Sequence, residues 1–159
     1  MADNIQSFIK ELAFEEALTN HLLGHGWNEV IKNPTEEQLV ENWARIIYDN
    51  NREMDKLGNH PLTASEMQQV MDKVNMVGSP YEMNRFINAQ EVCIKRDNEA
   101  DTNNCGKEVY LKIFDPMEIS SGQSRYQIAR QPKFKTAGEM MGDRRGDVML
   151  LINGMPVIH

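Results

Sequence analysis

The hydrophobic period of this chain of 159 residues changes near residue 90, and this change restricts the possible folds more than any other feature. Before it, apolar residues recur at steps of three and four, as they do in amphipathic helices. After it, short runs of β-branched and aromatic residues alternate with polar ones, which is typical of strands. Neither a linker nor an internal repeat separates the two parts. We therefore expect one domain over residues 1–159, helical to about residue 90 and sheet-forming from about residue 91.

Four helices are expected in the first part. The first is amphipathic around residues 14–25, and it is followed by a glycine-containing turn. Thr35 is a suitable N-cap for the second helix, and Thr63 with Glu66 forms a capping box before the third. Pro80 occupies the first helical position of a short fourth helix. The N-terminal half is therefore expected to be rich in helix.

Four strands are expected in the second part. Residues 91–96 and 108–114 alternate in polarity on either side of a turn-like segment, and residues 126–129 form a weaker candidate. Residues 147–152 are nearly all apolar, as expected for a central strand covered on both faces. The order of the elements predicts an α/β fold in which a mixed β-sheet is flanked by α-helices.

The charge of the chain is unevenly distributed. The net charge of −7 argues against a protein that binds nucleic acid through its overall charge alone. The acidic excess lies in the first 100 residues, so an anionic ligand is expected to meet the C-terminal part. A solvated basic strand edge is the alternative explanation for the cations found there. They are Arg125, Arg130, Lys133, Lys135, Arg144 and Arg145.

Several classes of protein are disfavoured by the sequence. No segment approaches the roughly 18 consecutive apolar residues that a membrane span requires. The N-terminus carries acidic residues where a signal peptide has a basic start and an apolar run. Two cysteines, Cys93 and Cys105, are too few for a disulfide framework. A cytoplasmic location is therefore expected.

The C-terminal residues predict a β-hairpin. An Asn-Gly pair at 153–154 is the commonest signal for a two-residue hairpin turn. Such a turn pairs Ile152 with Met155 and places Asp147 opposite a position just beyond His159. A longer turn moves that position one or two residues further. Facing residues have Cβ atoms about 5 Å apart, a spacing at which two carboxylates can share a metal ion.

The same residues resemble a known nuclease motif. The run RRGDVMLLINGMPVIH, residues 144–159, is similar to a segment of the restriction (motor) subunit of type I restriction enzymes. In that family an Arg-Gly/Pro-Asp strand, an Asn-Gly-Leu-Pro turn and a second apolar strand precede a Glu-x-Lys pair, which completes a PD-(D/E)XK motif. Asp147 matches the aspartate, and Met155 stands where Leu is usual. The Glu-x-Lys would begin a residue or so after His159.

The resemblance extends upstream over most of the chain. The segment from Phe14 to Trp27 resembles the opening helix of the family, in which Glu15 takes the place of a characteristic glutamate, with Glu16 as the adjacent alternative. Residues 79–86 are similar to the segment before the first long strand of the family. Gln131 matches a glutamine of the family.

The resemblance implies a restriction-endonuclease-like core and Mg²⁺-dependent hydrolysis of DNA phosphodiester bonds. Asp147 would be catalytic, Asp147 and Glu15 would bind the metal, and the six C-terminal cations would contact double-stranded DNA. Modification and specificity subunits would be partners, and motor domains elsewhere would use ATP, since this sequence contains no G-x-x-x-x-G-K-[ST] motif. Without the Glu-x-Lys, the chain by itself is expected to be inactive. A non-catalytic α/β domain for protein interaction or DNA docking is the alternative.

Overall fold

The computed structural model of the protein describes residues 2–87, 91–114, 117, 124–135 and 144–158. The chain forms two compact units. Unit 1 consists of Met1–Leu39 and Arg125–His159, and unit 2 consists of Val40–Ser124. Unit 2 is thus inserted in sequence between the two parts of unit 1. The single domain expected over the whole chain stays a prediction.

The four expected helices are present. The expected capping box is present before the third, where the Glu66 amide donates to Thr63 Oγ1 over 3.1 Å and the Thr63 amide donates to Glu66 Oε2 over 2.9 Å. None of the helices in the described ranges has the length and hydrophobicity of a membrane-spanning segment. The helices are α1 (Ala2–Leu23), α2 (Glu36–Asn50), α3 (Ala64–Asn75) and α4 (Pro80–Ile87).

The described residues contain eight strands, and four of them confirm the strands expected at residues 91–96, 108–114, 126–129 and 147–152. The strands at Glu29–Lys32, Lys133–Phe134 and Arg144–Arg145 were missed. The first lies in the half expected to be helical and contains only two apolar residues, and the other two are only two residues long. The strands are β1 (Glu29–Lys32), β2 (Glu91–Lys95), β3 (Glu108–Lys112), β4 (Tyr126–Arg130), β5 (Lys133–Phe134), β6 (Arg144–Arg145), β7 (Val148–Ile152) and β8 (Met155–Ile158).

Unit 1 is built on a four-stranded mixed sheet with the order β1-β4-β7-β8. β1 is parallel to β4, whereas β4, β7 and β8 are antiparallel neighbours. On one face, Leu39 of α2 packs against the buried Ala129 and Met149. Arg130 is the next residue of β4 and belongs to the other face, where it meets Glu15 of α1. The predicted α/β class, with a mixed sheet flanked by helices, is confirmed.

The C-terminal hairpin has the predicted turn and an unpredicted bulge. Ile152 pairs with Met155, and the two turn residues between them have φ angles of 51° and 83°, as a type I′ turn requires. A shift of register between Leu150 and Leu151 pairs Leu150 with Ile158. A regular two-residue hairpin would pair Leu150 with Val157, so the bulge moves the register by one residue.

Unit 2 contains a buried ionic network that joins α3 to the β2–β3 hairpin. Arg96, which is 1% exposed, donates from Nη1 to Glu66 Oε2 over 2.5 Å and from Nε to Asp101 Oδ2 over 3.0 Å. Glu66 Oε1 accepts the backbone amides of Asp97 and Asn98. Burial alone would raise the pKa of Asp101, but hydrogen bonds from Arg96 and its neighbours hold that pKa below its ordinary value.

Candidate active site

Glu15 brings a buried carboxylate to the sheet of unit 1. The residue is 5% exposed, although an acidic side chain on a helix normally faces water. Its Oε2 accepts a hydrogen bond from Gln131 Nε2 at 3.0 Å and lies 3.6 Å from Arg130 Nη2. These two neighbours supply a donor and a positive charge, which a buried carboxylate needs. Glu16, the adjacent alternative, is exposed.

Gln131 links Glu15 to the segment that contains Asp147. Its backbone amide donates to the carbonyl oxygen of Asp147 over 2.8 Å, and its side-chain amide donates to Glu15. Gln131 Oε1 in turn accepts a hydrogen bond from Arg145 Nη2. The φ of Gln131 is +54°, in the left-handed region that non-glycine residues seldom adopt. Three separate hydrogen bonds therefore hold this residue in an unfavourable conformation between the two acids.

Asp147 lies between β6, which pairs with β5, and β7, which pairs with β4. The Gly146 amide donates to the carbonyl of Pro132 over 2.9 Å, one step beyond the bond between Gln131 and Asp147. β7 begins at the next residue, Val148, and the Asp147 side chain is exposed. Asp147 therefore presents its carboxylate at the start of the inner strand β7, and its catalytic role stays a prediction.

The oxygen atoms at this site are of the type that binds magnesium. Glu15 and Asp147 offer carboxylate oxygens, the ligand type that Mg²⁺ prefers, and Mg²⁺ usually keeps several waters. Within the described ranges, no three His, Cys, Asp or Glu side chains come together as a metal-binding group. Gln131 joins the side chain of Glu15 to the backbone of Asp147. The residues fit as part of a magnesium site, and the metal roles of both acids stay predictions.

The six expected DNA-contacting cations do not form one patch. Arg125 precedes β4, and its backbone amide donates to Asn153 Oδ1 at the hairpin turn. The other five lie after or at the far end of β4, a strand of five residues that spans about 17 Å. DNA binding by any of them stays a prediction, but the geometry groups five of the six at the end of the sheet that carries Asp147.

Within the part of the chain that the structure describes, Arg130, Arg145 and Lys135 each have an acceptor. Arg130 meets Glu15, Arg145 donates to Gln131, and Lys135 donates to Glu37 Oε1. The hydrogen bond from Lys135 lowers the pKa of Glu37 to about 2. Such exposed pairs break and re-form readily, so they leave Lys135 able to meet another anion.

The β5–β6 ladder places like charges opposite one another. Lys133 faces Arg145, and Phe134 faces Arg144. Like charges directly opposite each other on neighbouring strands destabilise the pairing. A ribbon of this kind is expected to attract an anion, because a bound anion would offset the repulsion between its own cations.

The chain is similar to known proteins over nearly its whole length. The family model described as type I restriction enzyme R protein N terminus matches residues 8–159. A type I restriction enzyme endonuclease subunit from Staphylococcus saprophyticus is 32% identical over 150 residues, which cover 94% of this chain and 14% of that protein. Type I restriction enzyme endonuclease subunits from two Staphylococcus aureus strains are 28% identical over 153 residues, which cover 96% of this chain and 14% of theirs. The chain thus spans about 14% of the length of the curated relatives that it matches.

These similarities confirm the resemblance inferred from the sequence. The family model covers far more than half of the chain, and it includes Glu15, Gln131 and Asp147. The protein therefore belongs to the family of type I restriction enzyme R protein N-terminal regions.

Proposed function

We propose that this protein is the nuclease domain of a type I restriction subunit and contributes to Mg²⁺-dependent hydrolysis of phosphodiester bonds in double-stranded DNA. One observation carries the proposal. Gln131 binds the side chain of Glu15 and the backbone of Asp147, so the two acids that the family resemblance identifies are joined through one residue. Membership of the family and relatives named as endonuclease subunits support the same reaction.

Asp147 and Glu15 would hold the metal, with Asp147 as the catalytic carboxylate. A bound Mg²⁺ would supply an activated water and a positive charge that stabilises the in-line transition state. Gln131 would keep the Glu15 carboxylate turned toward the end of the sheet through its 3.0 Å hydrogen bond. Lys133, Arg144 and Arg145 on the β5–β6 ladder would bind the DNA backbone beside Asp147.

The remaining groups of the motif, a glutamate and a lysine, would face Asp147 from the strand that continues β8. A register continued from the pairing of Leu150 with Ile158 would place that position two residues past His159. The lysine would orient the attacking water and offset negative charge on the phosphate. Since these two groups are not among the 159 residues, we expect the chain by itself not to cleave DNA.

The activity of the whole subunit belongs to a larger assembly. We propose that motor domains elsewhere in the subunit hydrolyse ATP and move DNA, and that modification and specificity subunits select the DNA sequence. The assembly would act in the cytoplasm. The residues of this chain would contribute cleavage and would have no part in ATP binding, since they contain no P-loop motif.

The experiment that tests this proposal compares two functions of the assembled full-length enzyme. With Mg²⁺ and ATP present, Asp147→Asn is expected to abolish DNA cleavage and to leave ATP hydrolysis near the wild-type rate. Asp55→Asn, which changes an exposed aspartate of unit 2, is the matched control and should retain both activities. Cleavage at the wild-type rate by the Asp147→Asn enzyme would refute the catalytic role. Asp147-dependent cleavage by the isolated 159-residue chain would refute its expected inactivity.

A further inference from the structure

The buried carboxylate of Glu15 has a cationic partner, Arg130, that lies beyond hydrogen-bond distance. A carboxylate taken out of water requires either hydrogen bonds or an opposite charge. Glu15 receives its hydrogen bond from the neutral amide of Gln131, while Arg130 Nη2 stands 3.6 Å from the same oxygen. That separation exceeds the 2.7–3.2 Å of ordinary N–H···O hydrogen bonds. The pair is therefore held by charge attraction without a close hydrogen bond.

Arg130 itself is incompletely satisfied. Its Nε is buried and has no hydrogen-bond acceptor among the residues that the structure describes. An arginine that binds a carboxylate in a fork uses two parallel N–H groups and is difficult to displace. Within the described ranges, Arg130 has neither that geometry nor an acceptor for its buried Nε, and its side chain is 22% exposed. Moving such a guanidinium away from the carboxylate costs less free energy than breaking a pair with two parallel hydrogen bonds.

We propose that Arg130 is the resident counter-ion of Glu15 and competes with a divalent cation for that carboxylate. The inference rests on the proposed function, because it takes Glu15 as a metal ligand. Without metal, Arg130 offsets the buried negative charge. With metal bound, the ion offsets it, and Arg130 is free to turn toward solvent. Arg130 is thus a positioning residue that sets metal affinity, a different role from the DNA contact expected from the sequence.

The proposal predicts that removing the charge of Arg130 strengthens metal binding. In the 159-residue chain, Arg130→Met keeps an apolar stem and removes the competing cation. We expect the Kd for Mn²⁺ alone, measured by the loss of the free Mn²⁺ signal in electron paramagnetic resonance, to fall about tenfold. Arg130→Lys retains the charge and should bind Mn²⁺ with an affinity close to that of the wild type.

Lys32 offers a matched control for a general change of charge. It is the register partner of Arg130 on the neighbouring strand β1, and it is exposed. Lys32→Met removes the same charge from the adjacent position. Lys32 is exposed, and among the described residues it forms no hydrogen bond or ion pair with Glu15. We therefore expect the Mn²⁺ Kd of the Lys32→Met variant to differ from the wild-type value by less than about twofold.

A double-mutant cycle with Glu15→Gln makes the test specific for the carboxylate. In the Glu15→Gln background, Arg130→Met should no longer strengthen Mn²⁺ binding. The proposal is overturned if Arg130→Met leaves the Kd unchanged or raises it, if Lys32→Met lowers it equally, or if the gain persists without the Glu15 carboxylate. Absence of Mn²⁺ binding in every variant also overturns it.

A second substitution at Arg130 covers the case in which Arg130→Met does not fold. Arg130→Gln retains polar donors without the charge, and it replaces Arg130→Met if circular dichroism shows that the latter is unfolded. Both variants are expected to tighten Mn²⁺ binding, so loss of folding in one does not remove the test. The proposed nuclease function is refuted by DNA cleavage in the Asp147→Asn enzyme. The role of Arg130 as a counter-ion is refuted by the Mn²⁺ Kd values of the Arg130 and Glu15 variants. The two failures are therefore distinguishable.

Discussion

The side chain of Gln131 donates a hydrogen bond from Nε2 to Oε2 of Glu15 over 3.0 Å, although 116 positions separate the two residues in the sequence. The backbone amide of Gln131 simultaneously binds the carbonyl of Asp147. Helix α1 and the start of β7 are thereby joined through one residue. Because Gln131 adopts a φ of +54°, this link depends on a conformation that its own side chain disfavours.

The first prediction concerns the conformation of Gln131. Gln131→Ala removes the donor to the buried Glu15 carboxylate, and we expect the free energy of unfolding to fall by about 1–3 kcal/mol. Gln131→Gly removes the same donor but tolerates the positive φ, so it should be about 1 kcal/mol more stable than Gln131→Ala. Urea unfolding measures both values. A glycine variant no more stable than the alanine variant would contradict the left-handed conformation.

Features that depend on neighbouring residues could be predicted from the sequence. Thr63 and Glu66 form their capping box within one helical turn, so the local pattern is sufficient to place the start of α3. The turn at Asn153 and Gly154 is equally local, because both residues tolerate the positive φ that it requires. The register of Ile152 with Met155 followed directly from that turn.

Features that depend on distant pairing could not be predicted. Strand β1 is four residues long, and its pairing with β4, from Glu29↔Gln127 onward, joins segments almost 100 residues apart. The pairing of Glu15 with Arg130 has the same origin, since no local pattern relates a residue of α1 to the end of β4. Asp147 was identified through family resemblance, because an exposed aspartate before a strand is common in proteins of every function.

The second prediction concerns the buried network of unit 2. Arg96→Met leaves Glu66 and Asp101 buried without their cation, and we expect the free energy of unfolding to fall by about 3–5 kcal/mol. The neighbouring Lys95→Met changes an exposed side chain and should alter it by less than about 0.5 kcal/mol. Urea unfolding near neutral pH compares the two variants. Equal effects would show that Arg96 is not the centre of the network.

The third prediction concerns the hairpin turn. Gly154 has a φ of +83°, and an alanine there would carry a Cβ into the left-handed region, so Gly154→Ala should lower the free energy of unfolding by about 1–2 kcal/mol. Gly24→Ala is the matched control. Gly24 has no positive φ, and an added Cβ would lie 3.4 Å from the His21 carbonyl oxygen, close to ordinary contact distance. Thermal unfolding compares the two, and a Gly154→Ala variant as stable as Gly24→Ala would contradict the turn.

The last prediction concerns the pH dependence of the pair formed by Glu37 and Lys135. The hydrogen bond from Lys135 lowers the pKa of Glu37 from 4.5 to about 2. Because the folded state has the lower pKa, the pair stabilises the fold above pH 4.5, and this contribution is lost as the pH falls from 4.5 toward 2. Carbon-13 NMR of the Glu37 carboxyl follows the titration directly. Lys135→Ala should raise the pKa of Glu37 toward 4.5.

A control variant and a change of salt concentration distinguish two causes of the low pKa of Glu37: the hydrogen bond from Lys135 and the summed charge of the nearby cations. Lys133→Ala removes a charge two residues before Lys135. Lys133 donates none of the hydrogen bonds that lower the pKa of Glu37, so in this variant the pKa of Glu37 should stay near 2. Both partners of the pair are exposed, so high salt should raise the pKa of Glu37 by screening. If Lys135→Ala left the pKa near 2, its cause would lie in the helix start, where the Glu37 backbone and Thr35 also donate hydrogen bonds. If Lys133→Ala raised the pKa as much as Lys135→Ala, the shift would arise from the summed charge of the β5–β6 ladder instead of one donor.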